Sequence, residues 1–207
     1  MKQIIPYQNL KEALGHLDNG GRFYNLFAKA ENGQITTAEL IKVAGMFNER
    51  QKLILFLELS ISQLSKQDQI NIISKLDDKL RKDFLKYKAQ ELMASEAEAC
   101  GVLSANAIIT GVPTIKDSKS EFKGLILIPI STGKAMTFVP VPIIDQYDIY
   151  EVRDDHSSEA FLIAHYRSKH KLPAEKIKVA GVLKELEVKI AGGKEHQKFL
   201  EINYWQF

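Results

Sequence analysis

From about residue 7 to residue 99 apolar side chains recur three and four positions apart, and no proline falls between Pro6 and Pro113. That is the periodicity of helices packed on one another. Leu10, Ala13, Leu14 and Leu17 predict a first helix that stops at Asn19-Gly20-Gly21, and Phe23, Leu26, Phe27 and Ala30 predict a second that ends at Asn32-Gly33. Thr36, with Glu39 three residues on, has the form of a capping box opening a third helix through Leu40, Val43 and Ala44, with Gly45 as its stop. A fourth helix, from Asn48 to about Gln63, is apolar on more than one face, which predicts burial at the centre of its domain. Ser65 is the expected cap of a fifth, broken near Asp77-Asp78. The segment ELMASEAEACG, rich in helix formers, ends the helical part at Gly101.

Beyond Gly101 the helical spacing disappears, and β-branched residues, prolines and glycines become frequent. Ala107 to Ile109, Leu125 to Ile130 and Met136 to Val141 are strand candidates, with Pro140 and Pro142 placing the last of these at an edge or a bulge. From Tyr147 onward the chain has a strand-turn-strand rhythm. Ile149, Tyr150 and Val152 precede a polar turn at Asp154 to Ser158, and Phe161 to Ile163 follow. A basic loop, Arg167 to Lys171, leads through Leu172-Pro173 to Ile177, Val179, Val182 and Leu183 around Gly181. A Gly192-Gly193 turn then precedes Phe199 to Tyr204. Roughly six or seven short strands suit a small barrel. The predicted fold class is therefore α+β, a helical domain over residues 1–100 followed by a β-rich, barrel-like domain over 101–207. The absence of a flexible linker at Gly101 predicts that the two are tightly docked.

Hydrophobic residues make up 45% of the chain and charged residues 26%, a balance that supports a buried core. The formal net charge is only +2, with 14 basic against 13 acidic residues in 1–100 and the same in 101–207, so neither half is a basic arm and only a local patch would grip phosphate. The single cysteine, Cys100, rules out an intramolecular disulfide and any paired-cysteine metal motif. No stretch has the apolar core of a signal peptide or approaches the roughly 20 apolar residues of a membrane span, so the expectation is a near-complete cytoplasmic chain.

Most motifs that invite a chemical reading fail on a specific residue. Asn32, Gly33, Ile35 and Glu39 fall where a calcium loop wants them, but Ala28 and Ala30 stand where carboxylates are required. The stretch from Ile35 through Leu59 has the spacing of a DNA-binding helix-turn-helix, but its second helix offers only Asn48, Arg50, Gln51 and Lys52 to bases. His156, His165, His170 and His196 form no pair of metal-ligand spacing and are expected on exposed loops, and Asp154-Asp155 beside His156 is expected to be a solvated turn. Cys100 follows Glu96 and Glu98 at a helix C-terminus, the wrong setting for a reactive thiolate, and is expected to be buried. No phosphate-binding or dinucleotide glycine motif occurs. The expectation is a protein without enzymatic activity, cofactor or metal; the competing class is an enzyme built between the domains from Asp154, Asp155 and His156.

One patch does suit a ligand. In HYRSKHK, His165, Tyr166, Arg167, Lys169, His170 and Lys171 bring rings and cations together on an inter-strand loop, the combination that single-stranded nucleic acid binds. Val152-Arg153-Asp154, Phe161 to Ala164, Leu172-Pro173, Val179 to Val182 and Phe199 to Ile202 together resemble the later strands of an OB-fold module. The resemblance covers the last third of the chain, and Pro129, Pro140 and Pro142 depart from it in the earlier strands. It implies oligonucleotide or oligosaccharide binding on a barrel face. Because the net charge is low, the first expectation is a scaffold whose β-rich domain engages a protein partner through a strand edge. The alternative is single-stranded nucleic acid bound at residues 165–171, and no membrane partner is expected.

Overall fold

The computed structural model describes residues 1–19, 32–45, 49–116, 124–131, 136–143, 147–155, 157, 159–168, 170–190 and 193–207; for 124, 126–131, 136–141, 189, 190 and 194 it describes the backbone alone. The second predicted helix, Gly192, Asn48, His156 and Lys169 lie outside the described residues. The chain divides into two compact units, Lys2–Ala89 with Gln206, and Gln90–Trp205 with Met1 and Phe207.

The first unit contains a short strand β1 (Lys2–Gln3) and helices α1 (Leu10–Leu17), α2 (Thr37–Ala44), α3 (Arg50–Ile61), α4 (Lys66–Ser74) and α5 (Asp78–Tyr87). Local chemistry sets their ends. The Thr36 side chain accepts from the Glu39 backbone amide while Glu39 reaches back to Thr36, and Gly45 closes α2 in the left-handed region at φ +71°. Ser65 caps α4 and Asp77 caps α5, so the break expected at Asp77-Asp78 is a helix start. Helix α3 buries Leu53 to Leu57 as an unbroken run, as its all-round apolar pattern requires. Asp18, 2% exposed, accepts from the backbone amides of Asn32 and Gly33 at 2.9 and 2.8 Å.

The second unit opens with β2 (Gln90–Met93) and α6 (Ala94–Cys100), followed by β3 (Asn106–Ile115), β4 (Gly124–Ser131), β5 (Met136–Pro142), β6 (Tyr147–Arg153), β7 (Ala160–Tyr166), β8 (Ile177–Ile190) and β9 (Gly193–Gln206). The helix expected through Glu91 is thus corrected to a strand at its start. Gln90 to Met93 pair in parallel with Ala107 to Thr110, and this ladder overrides their helical propensity. Cys100 is exposed, contrary to expectation, because α6 buries Ala94 and Ala97 and its last turn faces outward.

Five of these strands close into a ring. β3 pairs with β6, β6 with β7, β7 with β9, β9 with β8, and β8 returns to β3. All the registered ladders of the ring are antiparallel except β7 with β9, which is parallel. In chain order the first, second, third, fifth and fourth strands follow one another around it, the connectivity of an OB-type barrel. Two glycines permit the closure. Gly111 stands where β3 leaves β8 for β6, and a Cβ there would lie 2.4 Å from the Arg153 carbonyl oxygen. At Gly181 in β8 a Cβ would lie 2.0 Å from the Glu201 carbonyl oxygen of β9.

Strands β4 and β5, between the first two strands of the ring, belong to no part of it. They form an antiparallel hairpin whose β4 attaches to β8 at Glu187 and Val188. The barrel interior is filled by Ile109, Tyr150, Val152, Phe161, Ile163, Val179, Leu183, Leu200 and Ile202. Alternation turns a second apolar set outward: Tyr147, Ile149, Leu162, Ala164, Leu186 and Phe199 are also buried, together with Ile143. Among the described residues no helix is long and apolar enough to cross a membrane.

Candidate nucleic-acid interface

Strand β7 ends at Tyr166 and the chain turns away through Arg167 to Lys171 before β8 begins. The register fixes what lies beneath this turn. Tyr147 faces Tyr166 and Asp148 faces His165, so the start of β6 delivers one ring and one carboxylate to the root of the basic loop.

Asp148, 7% exposed, gathers the loop. Lys171 Nζ lies 2.7 Å from its Oδ1 and Arg167 Nε 3.7 Å from the same oxygen, while the Ser168 backbone amide donates to Oδ2 at 3.4 Å. Burial works against the charged carboxylate, but the Lys171 ammonium and the Ser168 amide outweigh it and hold its pKa below the ordinary 3.8. The two cations are not submerged by this. Their side chains remain 52% exposed for Arg167 and 48% for Lys171, so each touches Asp148 on one side and solvent on the other. Ser168 Oγ donates to the His170 carbonyl oxygen within the turn, and the Leu172 amide donates to the Tyr150 hydroxyl, which ties the end of the turn to the barrel.

The rings separate into two roles. Tyr166 is 63% exposed, and its ring packs on Tyr147 with centroids 4.9 Å apart and planes inclined by 51°. Tyr147 is itself fixed, its hydroxyl donating to Glu201 Oε1 at 2.6 Å, and burial together with that carboxylate raises its pKa. His165, expected on an exposed loop, is instead fully buried at the end of β7 and stacks on Tyr150 at 5.7 Å. Its Nδ1–H donates to the Tyr166 carbonyl oxygen at 2.7 Å, and Nε2, without a hydrogen-bond partner among the described residues, lies 3.8 Å from Asp148 Oδ2. Burial lowers its pKa below the ordinary 6.5, against the opposing pull of the Tyr166 carbonyl and Asp148. His165 is therefore a packing and positioning group, whereas Tyr166, Arg167, His170 and Lys171 are presented at the surface. Lys169 lies outside the described residues.

Other candidates are placed differently. Asp154, expected in a solvated turn, is 8% exposed, and its carboxylate accepts from the Ser95 amide and hydroxyl, both at 2.9 Å, and from the Ser157 amide at 3.1 Å. It clasps the β6–β7 turn to α6. Asp155 pairs with Lys176, and Arg50 with Asp83 at 3.3 Å. His196 sits beside Glu185 on the β8–β9 ribbon, and among the described residues no cluster of three metal-ligating side chains forms.

The residue that sequence reasoning missed is Asp148. The signal was present, since a carboxylate flanked by Tyr147 and Ile149 interrupts the apolar start of the strand. Its partners, however, begin 17 residues later by numbering, at His165, and only the β6–β7 register joins them.

The class that this geometry defines is a closed five-stranded barrel of OB connectivity, carrying a hairpin between its first two strands and a clamped basic loop after its third. No protein-family model matches the chain, and no curated protein matches it. Among solved structures it is similar to the N-terminal domain of an archaeal MCM, at 11% identity and a TM-score of 0.36, over 83% of this chain and 84% of that one. A likeness that distant carries no argument about this chain.

Proposed function

We propose that the β-rich unit is a single-stranded nucleic-acid-binding module that acts by binding alone. The observation that carries this reading is the exposed Tyr166 ring at the end of β7, flanked by Arg167 and Lys171, whose guanidinium and ammonium are pre-positioned by Asp148. A ring offers a stacking face to any base, and fixed half-exposed cations meet phosphates with little loss of side-chain freedom. The outward face of β6 and β7 is lined by buried apolar side chains, so the stacking position is the rim of the barrel and not its wall. The hold of Asp154 on the Ser95 amide and hydroxyl gives that carboxylate a structural role, which favours the binding reading over an enzyme of Asp154, Asp155 and His156.

Strand pairing with a protein partner is the weaker reading for a reason of backbone chemistry. β5 lies at the end of the strand order, and among the described residues its only registered ladder runs to β4. Pro140 and Pro142 occupy alternate positions of it, opposite Leu127 and Leu125. Alternate residues of an antiparallel strand point their backbone groups to the same side, so the two missing N–H donors fall together on one rim. An intact β4–β5 ladder requires that rim to be the outer one, and an edge without those donors is a poor template for another strand.

Titrating a fluorescent single-stranded oligonucleotide with the full chain at low salt tests the proposal. Binding is expected to weaken as salt rises, by a slope of about 0.7 per neutralised phosphate. Replacing Arg167, Lys169 and Lys171 with Ala is expected to abolish it, and Tyr166→Ala to cost about 1–3 kcal/mol if one base stacks there. No binding at low salt, or binding indifferent to the triple replacement, sinks the reading.

A further inference from the structure

A further basic surface lies in the helical unit, on α5. Lys79, Lys82 and Lys86 are exposed at steps of three and four residues, which puts them on one face about 5–6 Å apart, and Lys88 extends the row past the helix end. Among the described residues no carboxylate pairs with any of the four. The acids and the arginine of the same helix have other roles. Asp83 is buried and holds Arg50, Asp78 sits in the first turn where it complements the helix dipole, and Arg81 donates to the carbonyl oxygens of Ser74 and Leu76 at 2.6 and 3.2 Å.

We infer that this face of α5 is a contact surface for the phosphodiester backbone of a single-stranded nucleic acid, one that grips charge without reading bases. Lysine is a strongly hydrated point charge on a flexible stem, suited to following phosphates and not to recognising a base edge. An anionic membrane fits the same charge less well. The apolar residues Leu80 and Phe84 are buried in the unit, and of the large apolar side chains on the helix Leu85 alone projects strongly, at 72% exposure, so there is no apolar face to enter the headgroup layer. The inference rests on the proposed function only in naming nucleic acid as the ligand; its residues are separate from the loop after β7.

The test replaces Lys79, Lys82 and Lys86 with Gln, which keeps helix propensity and removes three charges. In the full chain, with a long single-stranded oligonucleotide, the slope of log affinity against log salt is expected to fall by about 2, at unchanged helical circular dichroism and melting temperature. The loop variant Arg167→Ala/Lys171→Ala is measured beside it. A loss of slope in the α5 variant alone supports this inference while counting against the loop, and a loss in the loop variant alone overturns it while leaving the loop reading intact. Binding of the wild-type chain to vesicles of anionic lipid that the α5 variant loses, with oligonucleotide affinity unchanged, also overturns it.

Discussion

Because Asp148 is buried while Arg167 and Lys171 stay half exposed, its role at the residue scale is to align positive charge and not to cancel it. Replacing it with Ala raises the local positive charge, yet we expect weaker oligonucleotide binding, since the Ser168 amide and both cations lose their common anchor. Stability is expected to fall by about 1–2 kcal/mol, the loss of a charged acceptor discounted for its solvent-exposed partners. Tighter binding by Asp148→Ala, measured in the same titration, would show that charge dominates positioning. The loop also makes stability depend on pH. The His165 pKa is depressed in the fold, so below its ordinary 6.5 the unfolded chain takes up a proton that the native state resists, and stability contributed by the neutral ring is lost as pH falls from there. The Asp148 pKa is likewise depressed, and its contribution is lost only below 3.8. Melting temperature against pH should therefore decline in two windows, and His165→Gln should remove the upper one alone. Tyr166, Arg167 and Lys171 were legible in the sequence because rings and cations adjoin along seven residues, whereas the inward turn of His165 follows from strand alternation reaching one residue further than the loop composition suggested.

At the scale of elements, helix caps were legible because the residues that make them are neighbours. Thr36 and Glu39, Ser65 and Asp68, and Gly45 act within one turn of chain. β2 was not, because Leu92 and Met93 carry no local strand signal and obtain their partner from Ile109 and Thr110. The prolines of β5 did announce an edge, since a missing donor is a property of the residue itself. Gly181 was visible as the centre of a strand, but its purpose was not, as the oxygen that forbids a side chain belongs to Glu201. Gly181→Ala and Gly111→Ala are expected to destabilise the chain by about 1–3 kcal/mol or more, because backbone atoms and not flexible side chains must give way. Gly193→Ala, with nothing within 4 Å of the added carbon, serves as the control and should be near neutral. Chemical denaturation of the three variants decides this, and equal stability for all three would contradict the account of how the ring closes.

Over the whole molecule, the succession of helices and then strands was plain from the change of period, and the α+β class followed from it. The compact units divide at Ala89 and Gln90, and Ala94 and Ala97, in a stretch of helical composition, join the barrel core. That the strands would form a small barrel was legible, but which five close it and which two leave as a hairpin was not, since each choice depends on residues far apart in the chain, such as Asn106 with Val182. The ring also imposes an order in time. β9 is the neighbour of both β7 and β8 and the last of the five ring strands in chain order, so as the chain is made Lys2 to Ala89 emerge well before the strand that completes the barrel. Until β9 arrives, the rims of β7 and β8 that it covers lack their partner, and an uncovered strand rim is a template on which a neighbouring chain can add a strand.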